Sequence, residues 1–570
     1  VRTARSQHFR GNYAGGFRRE IILVFAAQMA LLAVAAFRNI HQLNPDGIAY
    51  LRLAHYYADG PVSLAVSGYW GPMLSWVMAP FLKLGCDPLI TARIVMGLTA
   101  AFFYWSSVAL FRSFRLPAPA QFWGACVMAM TSVLWSVYNI TPDVLLAGMV
   151  ACALIPLVNG RWLKDRTNGF QTGALWAMAY LVKAIALPLT CLVVGAFALL
   201  WWRKRRINGR QILRQLAFVV LGIAVVAGPW IATLSVKYRR PTFSTSGAIA
   251  HKIAGPPAVE RYHPAFRTLH QPEPGRLTAW EDPSEMAYPD WSALESGENA
   301  RHQAKVIFRN AQTMLTWLGG ASPSAWIRPV LGRRSDMAYD AFGGVDLFWL
   351  GLTGLMLCAL VPTRNRGGRS SERWRWVVLP VAALALLYLP VYIPPDDRRY
   401  FYPLFPLVWV ATVGAWGALR HWCRGRARVR IGQYGLRLIV FSFMMPAAFS
   451  LSTALVGMVN PASEVARDAA ERLSQAGIKG PVAGSALLPG GRAGLYMAFF
   501  MDQSWLGDMR DATPADYTQA GAHLVVLLKY SPMAEVMDAA PGWRRLDGVL
   551  SDDSGASYDF PLVVFQRGDP

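Results

Sequence analysis

Four places in this sequence carry residues able to do chemistry on an anionic substrate. They are Asp46 in "NPDGIAY", Asp143 in "TPDVLLAGM", Lys183 in "LVKAIALP" and the run Asp396–Tyr400 in "DDRRYFYPLFPL". A positioned carboxylate can take the proton of an attacking hydroxyl. Fixed cations can hold a phosphate and stabilise the charge that grows on it as it leaves. Each residue also has a plainer reading. Asp46 lies between Pro45 and Gly47, a common turn context. Asp143 suits the first turn of a helix, where the dipole favours an acid. Lys183 and the arginines are long enough to reach lipid headgroups. The chemical reading gains weight from depth, because all four places fall at the same ends of long apolar segments.

Those segments dominate the chain. Of 570 residues 54% are hydrophobic and only 16% charged, too apolar for an ordinary soluble domain. Uncharged stretches of about 18 to 22 residues recur along most of the length, enough to cross about 30 Å of hydrocarbon. The fold class expected is an α-helical polytopic membrane protein. The net charge of +22 sits in six clusters: Arg2–Arg19, Arg112–Arg115, Arg161–Arg166, Arg203–Arg214, Arg364–Arg375 and Arg420–Arg437. Together they hold 27 Lys and Arg against two acids, so the rest of the chain is close to neutral. Basic residues confined to alternate loops mark the cytoplasmic side rather than a nucleic-acid surface.

With that side fixed, 11 spans are expected near 20–37, 88–111, 119–137, 143–159, 169–183, 185–202, 211–235, 343–361, 374–393, 400–419 and 434–457. The run from Phe170 to Trp202 is too long for one crossing and has basic clusters at both ends. It must therefore cross twice and turn near Lys183–Pro188, which puts Lys183 at the outer face. Residues 1–19 form a cytoplasmic segment, 20–457 the membrane domain with outer loops 38–87 and 236–342, and 461–570 an extracytoplasmic α/β domain in which helix and strand patterns alternate. The first helix is expected to stay as an anchor rather than be cleaved after Ala35. Loop 236–342, with "WEDPS" and Trp280 and Trp291, is expected to cover the acceptor like a lid. Cys86, Cys126, Cys152, Cys191, Cys358 and Cys423 lie in or beside apolar spans and read as core residues.

The pieces "NPDGIAYLRLAHYYADG", "GYWGPMLSWVMAPFLKLG", "TARIVMGL", "TPDVLLAGM", "LVKAIALP", "GPWIATLSVKY" and "DDRRYFYPLFPL" occur in the order seen in GT-C-fold glycosyltransferases. Over residues 20 to 420 the chain resembles most the protein O-mannosyltransferases and aminoarabinose transferases, the family-39-like group. The resemblance implies that Asp46 lies in an active site and that Lys183, Arg399 and Tyr400 belong to it. It departs from the protein mannosyltransferases at Gly47, where those enzymes carry a second acid, which speaks against protein mannosylation.

The activity expected is inverting transfer of a sugar from a polyprenyl-phosphate donor to an extracytoplasmic acceptor, an envelope glycan, lipid A or a protein. Asp46 is the expected base, with Asp143 orienting the acceptor or sharing that role. Lys183, Arg399 and Tyr400, joined by Arg93 or Arg398, are expected to hold the donor phosphate. The location expected is a bacterial inner membrane, with the site facing the periplasm or exterior. The resemblance leaves a divalent metal ion open as a cofactor. His41, Asp46, His55, His251 and His263 show no metal-ligand spacing, so no metal residues are assigned. The alternative is a multi-pass transporter or lipid flippase, which predicts charges near mid-bilayer and two related halves.

Overall fold

The computed structural model describes residues 2–203, 208–318, 373–393, 398–422, 425–458, 460–488, 491–546 and 561–568. The span expected at 343–361, the acids Asp396 and Asp397, and Cys358 and Cys423 lie outside the described residues. A helix bundle carries an outer layer of short helices and loops, and the tail packs onto that layer.

The bundle is built from α1 (Arg2–Arg38), α5 (Pro88–Ser113), α6 (Ala118–Tyr138), α7 (Asp143–Asn159), α8 (Arg166–Val182), α9 (Ala186–Arg203) and α10 (Gly209–Lys237). The outer layer begins with α2 (Pro45–Ala58), α3 (Val62–Ala65) and α4 (Met73–Lys83) and continues with α11 (Ser246–Ile253) and α12 (Gly297–Leu318). Later come α13 (Val378–Tyr388), α14 (Phe405–Trp422) and α15 (Gly425–Val456). Seven helices among the described residues are long and apolar enough to cross a membrane, and α7 and the Trp374–Tyr388 stretch are shorter apolar helices. The expected span at 374–393 is thus a 3-10 turn (Arg373–Val377) followed by α13, and that at 400–419 opens as the 3-10 turn Arg398–Leu404.

Without water to drive them together, helices in lipid associate where small residues let backbones approach. α8 and α10 meet in this way. A Cβ on Gly173 would strike the carbonyl of Val219, and one on Gly222 that of Phe170. The run expected to cross twice is broken into two helices: α8 ends at Val182 and α9 starts at Ala186, leaving Lys183 between them. Of the two, α9 is long and apolar enough to cross a membrane.

The tail comprises α16 (Pro461–Gln475), α17 (Ala493–Met501) and a four-stranded sheet in the order β1 (Val482–Gly484), β4 (Leu524–Leu528), β6 (Leu562–Arg567) and β5 (Trp543–Arg545). A two-residue hairpin of β2 (Leu487–Leu488) and β3 (Gly491–Arg492) precedes α17. Strand β1 runs parallel to β4, and the other pairings are antiparallel. One hydrophobic core contains Ile48, Leu53 and Leu74 of the outer layer together with Ala466, Val482 and Tyr496 of the tail. Asn460 seals the junction, donating through Nδ2 to the carbonyl of Leu43 at 2.6 Å.

Candidate active site

Helix α2 begins at Pro45. Proline at the first helical position already has the required φ and has no N–H to leave unpaired. Asn44 precedes it, but its side chain does not cap the helix. Its Oδ1 instead accepts from the backbone N of Ile140 at 2.8 Å, so the Asp46 loop is tied to the loop before α7. Gly47 makes that approach possible, since a Cβ there would stand 2.9 Å from Ile140 Cβ and 3.0 Å from Asn44 Oδ1. A side chain at this position would crowd Ile140. Gly47→Asp is expected to destabilise the protein by about 1–3 kcal/mol, the usual result of overpacking. Thermal unfolding of the purified variant checks this, and an unchanged melting temperature would show that Ile140 yields freely.

Asp46 and Asp143 occupy the first turns of α2 and α7, so both carboxylates gain from the helix dipoles. Each also faces a cation from a distant part of the chain. Arg399 donates through Nη1 to Asp46 Oδ2 at 2.5 Å, with both side chains a little under one-fifth exposed. Lys183 donates through Nζ to Asp143 Oδ1 at 2.6 Å; Asp143 is buried and Lys183 about one-quarter exposed. Tyr400 lies between the two pairs. Its ring centroid is 4.3 Å from Lys183 Nζ and 5.8 Å from Arg399 Cζ. Five sequence-predicted residues are thereby brought together: Asp46, Asp143, Lys183, Arg399 and Tyr400.

Arg93 does not join them. It is buried and donates through Nη1 to the carbonyl of Val137 at 3.0 Å and through Nη2 to that of Gln42. It holds the end of α6 against the segment after α1, a structural use of its fork. The side chain of Arg398 lies outside the described residues.

Tyr50 and Tyr69, neither singled out from the sequence, lie within electrostatic reach of these residues. Tyr50 follows Asp46 by one helical turn and is buried within electrostatic reach of Asp143, Asp46 and Arg399. Burial, then the two carboxylates, push its phenol well above the ordinary value, so it stays protonated. Tyr69 lies within electrostatic reach of Tyr400, Asp46 and Arg399. Its hydroxyl is 3.5 Å from Nε2 of His263, whose Nδ1 is 3.2 Å from the hydroxyl of Tyr288. Burial, helped by Arg267, lowers the His263 imidazole to about 3, so it is neutral near pH 7. The signals available were the i,i+4 spacing of Asp46 and Tyr50 and the glycines flanking "YW" at 69–70. Gly71 shows what the second glycine does, because a Cβ there would strike the carbonyl of Val182, next to Lys183.

The "WEDPS" segment is not a loose cover. Asp282 accepts from Lys237 Nζ at 2.6 Å, from the Tyr238 hydroxyl at 2.9 Å and from Ser67 Oγ at 3.2 Å. Glu281, fully buried, accepts from the Tyr56 hydroxyl at 2.7 Å and from the backbone N of Leu277 and Thr278. Buried charged networks of this kind are expensive to break. This part of the loop pins α2 to the end of α10 and carries the Tyr69 turn, since Trp70 Nε1 donates to the carbonyl of Trp280 at 3.0 Å.

Among the described residues no three His, Cys, Asp or Glu side chains are grouped so as to hold a metal ion. Asp46 and Asp143 face cations instead, so this donor set does not fit a metal centre.

No protein-family model matches the chain, and no curated protein matches it in sequence. Solved structures do match. The apo structure of ArnT from Cupriavidus metallidurans is 15% identical, with a TM-score of 0.55 over 98% of this chain and 100% of that one. The same protein bound to undecaprenyl phosphate gives 15% identity and a TM-score of 0.52, over 96% of this chain and 99% of that one. The chain has the GT-C fold. The likeness runs nearly end to end, over the tail as well as the helix bundle. Within it, the Asp46–Arg399 and Asp143–Lys183 pairs lie where the outer loops meet the bundle.

Proposed function

We propose that this protein is an inverting glycosyltransferase that moves a sugar from a polyprenyl-phosphate donor to a hydroxyl acceptor. The observation that carries the reading is the pairing of two carboxylates with two cations around Tyr400. Acids and bases of this kind match the two halves of the chemistry. A carboxylate, Asp46, accepts the proton of the acceptor hydroxyl, whose oxygen attacks the anomeric carbon from the face opposite the phosphate. The bond from that carbon to the phosphate oxygen breaks, and Arg399 and Lys183 stabilise the charge left on the phosphate. Tyr400 sets the two cations at a fixed separation, and Asp143 orients Lys183. The polyprenyl donor is supported by the fold shared with ArnT, whose structure contains undecaprenyl phosphate.

The distribution of basic residues supports an outward-facing site in a bacterial inner membrane, with acceptors among envelope glycans, lipid A or proteins. Nucleotide sugars are cytoplasmic, so an outward-facing transferase needs a donor carried on a lipid.

Purified protein is expected to release free undecaprenyl phosphate from one of a panel of undecaprenyl-phosphate sugars (mannose, galacturonate, arabinose, aminoarabinose) when given an envelope extract. Reporter fusions after Pro461 are expected to read extracytoplasmic, and those after Arg206 and Arg424 cytoplasmic. Intact donor crossing a vesicle bilayer with no release would favour the flippase, and a cytoplasmic reading for the tail would remove the lipid-donor argument.

A further inference from the structure

Both cations assigned to the phosphate are partners of a carboxylate. Arg399 holds Asp46 at 2.5 Å and Lys183 holds Asp143 at 2.6 Å. We propose, resting on the transferase reading, that Asp46 and Asp143 are internal counter-anions competing with the lipid phosphate for Arg399 and Lys183, so that cation pairing passes from carboxylate to phosphate during transfer.

The charge balance of the reaction supports this. The acceptor O–H gives its proton to Asp46 and its oxygen bonds to the anomeric carbon. The carbon–oxygen bond to the phosphate breaks, and the electron pair stays on the phosphate. The carboxylate becomes neutral as the phosphodiester monoanion becomes a phosphomonoester dianion. One unit of negative charge has thus moved from Asp46 to the phosphate. A guanidinium placed against Asp46 and able to reach the phosphate faces the charge at both ends of this movement. Its pairing shifts from one anion to the other over a short distance, with no solvent shell to rebuild.

The two pairs are not equally open. Asp46 and Arg399 are exposed to a similar small extent, whereas Asp143 is almost wholly buried. The Asp46–Arg399 pair is therefore the one that exchanges readily, and Asp143 keeps the larger hold on Lys183. The arrangement also gives order to the reaction. Asp46 Oδ2 accepts from the guanidinium, so this oxygen becomes available to an acceptor hydroxyl when the phosphate draws Arg399 away. Donor arrival then releases the base from its cation, and an acceptor or water arriving alone meets a carboxylate still paired with Arg399 through Oδ2.

The proposal makes an expectation that a purely structural ion pair does not. Removing the competing charge should tighten phosphate binding even as it removes the base. Undecaprenyl phosphate is the probe, titrated into the full-length detergent-purified protein and followed by calorimetry or native mass spectrometry. Asp46→Asn is expected to bind it about three- to tenfold more tightly than the wild type, the scale of one part-exposed ion pair. Arg399→Ala is expected to bind it more weakly. In the Arg399→Ala background, Asp46→Asn is expected to bring no further gain.

Equal or weaker binding by a folded Asp46→Asn protein overturns the proposal. A gain that persists without Arg399 also overturns it, because the carboxylate would then simply repel the phosphate. Should Asp46→Asn lower thermal stability, Asp46→Ser is read in the same way. If the wild type shows no saturable binding of undecaprenyl phosphate, the transferase reading itself fails, an outcome distinct from unequal binding by the variants.

Discussion

Asp46→Asn is expected to lower turnover by about 10²-fold or more, the usual worth of a general base, while the protein folds normally. The structure makes this substitution unusually clean. The amide oxygen of Asn can accept from Arg399 Nη1 as Asp46 Oδ2 does now, so the contact between the outer loop and Arg399 survives. The first turn of α2 loses a favourable charge, worth about 0.3–1 kcal/mol. A residue serving only as a helix-start acid would therefore leave both activity and melting temperature nearly unchanged. The measurement is sugar transfer from a purified undecaprenyl-phosphate donor, beside thermal unfolding of the same sample. An active Asp46→Asn enzyme moves the base to Asp143, which lies within reach of the same Tyr50 phenol.

Arg399→Ala is expected to cut turnover by more than tenfold, because one charge-assisted contact is worth about 1.5–3 kcal/mol. Asp46, left without this partner, still has some access to water, so stability should fall little. Arg399→Lys should also be impaired, since a point charge does not reproduce a planar fork. Lys183→Ala should lower turnover to a similar extent, but it carries a complication visible only in the structure. It strips the partner from Asp143, whose side chain is 2% exposed. Leaving a buried charge unpaired costs about 3–5 kcal/mol. The Lys183→Ala, Asp143→Asn double variant separates the two effects, because it removes the stranded charge together with the clamp. Normal turnover in both single alanine variants, with the protein intact, would mean that these cations only reach for lipid headgroups.

The tail and the lid reading show where sequence patterns stop being informative. The alternation of helix and strand after Pro461 is visible in the sequence, and α16, β1 and β4 form where it predicts. Nothing local says that their apolar faces share a core with α2 and α4. Likewise "WEDPS" looks polar and loop-like, and its acids become buried because Lys237, Tyr238 and Tyr56 arrive from other elements.

Depth is what the sequence by itself predicts. A bilayer has a fixed thickness, so the length of each apolar run and the side of each basic cluster place a residue along the membrane normal. On that ground the Phe170–Trp202 run is expected to turn at Lys183, and Asp46, Asp143, Lys183 and Arg399 to share one level. Only the tertiary structure decided who faces whom at that level. Asp46 meets Arg399 across 353 positions and Asp143 meets Lys183 across 40, while Arg93 turns to the carbonyls of Val137 and Gln42. Lateral neighbours depend on which helix faces pack closest. Contacts such as Gly173 on Val219 and Gly47 on Ile140 set this packing, and they involve the shape of two distant segments at once.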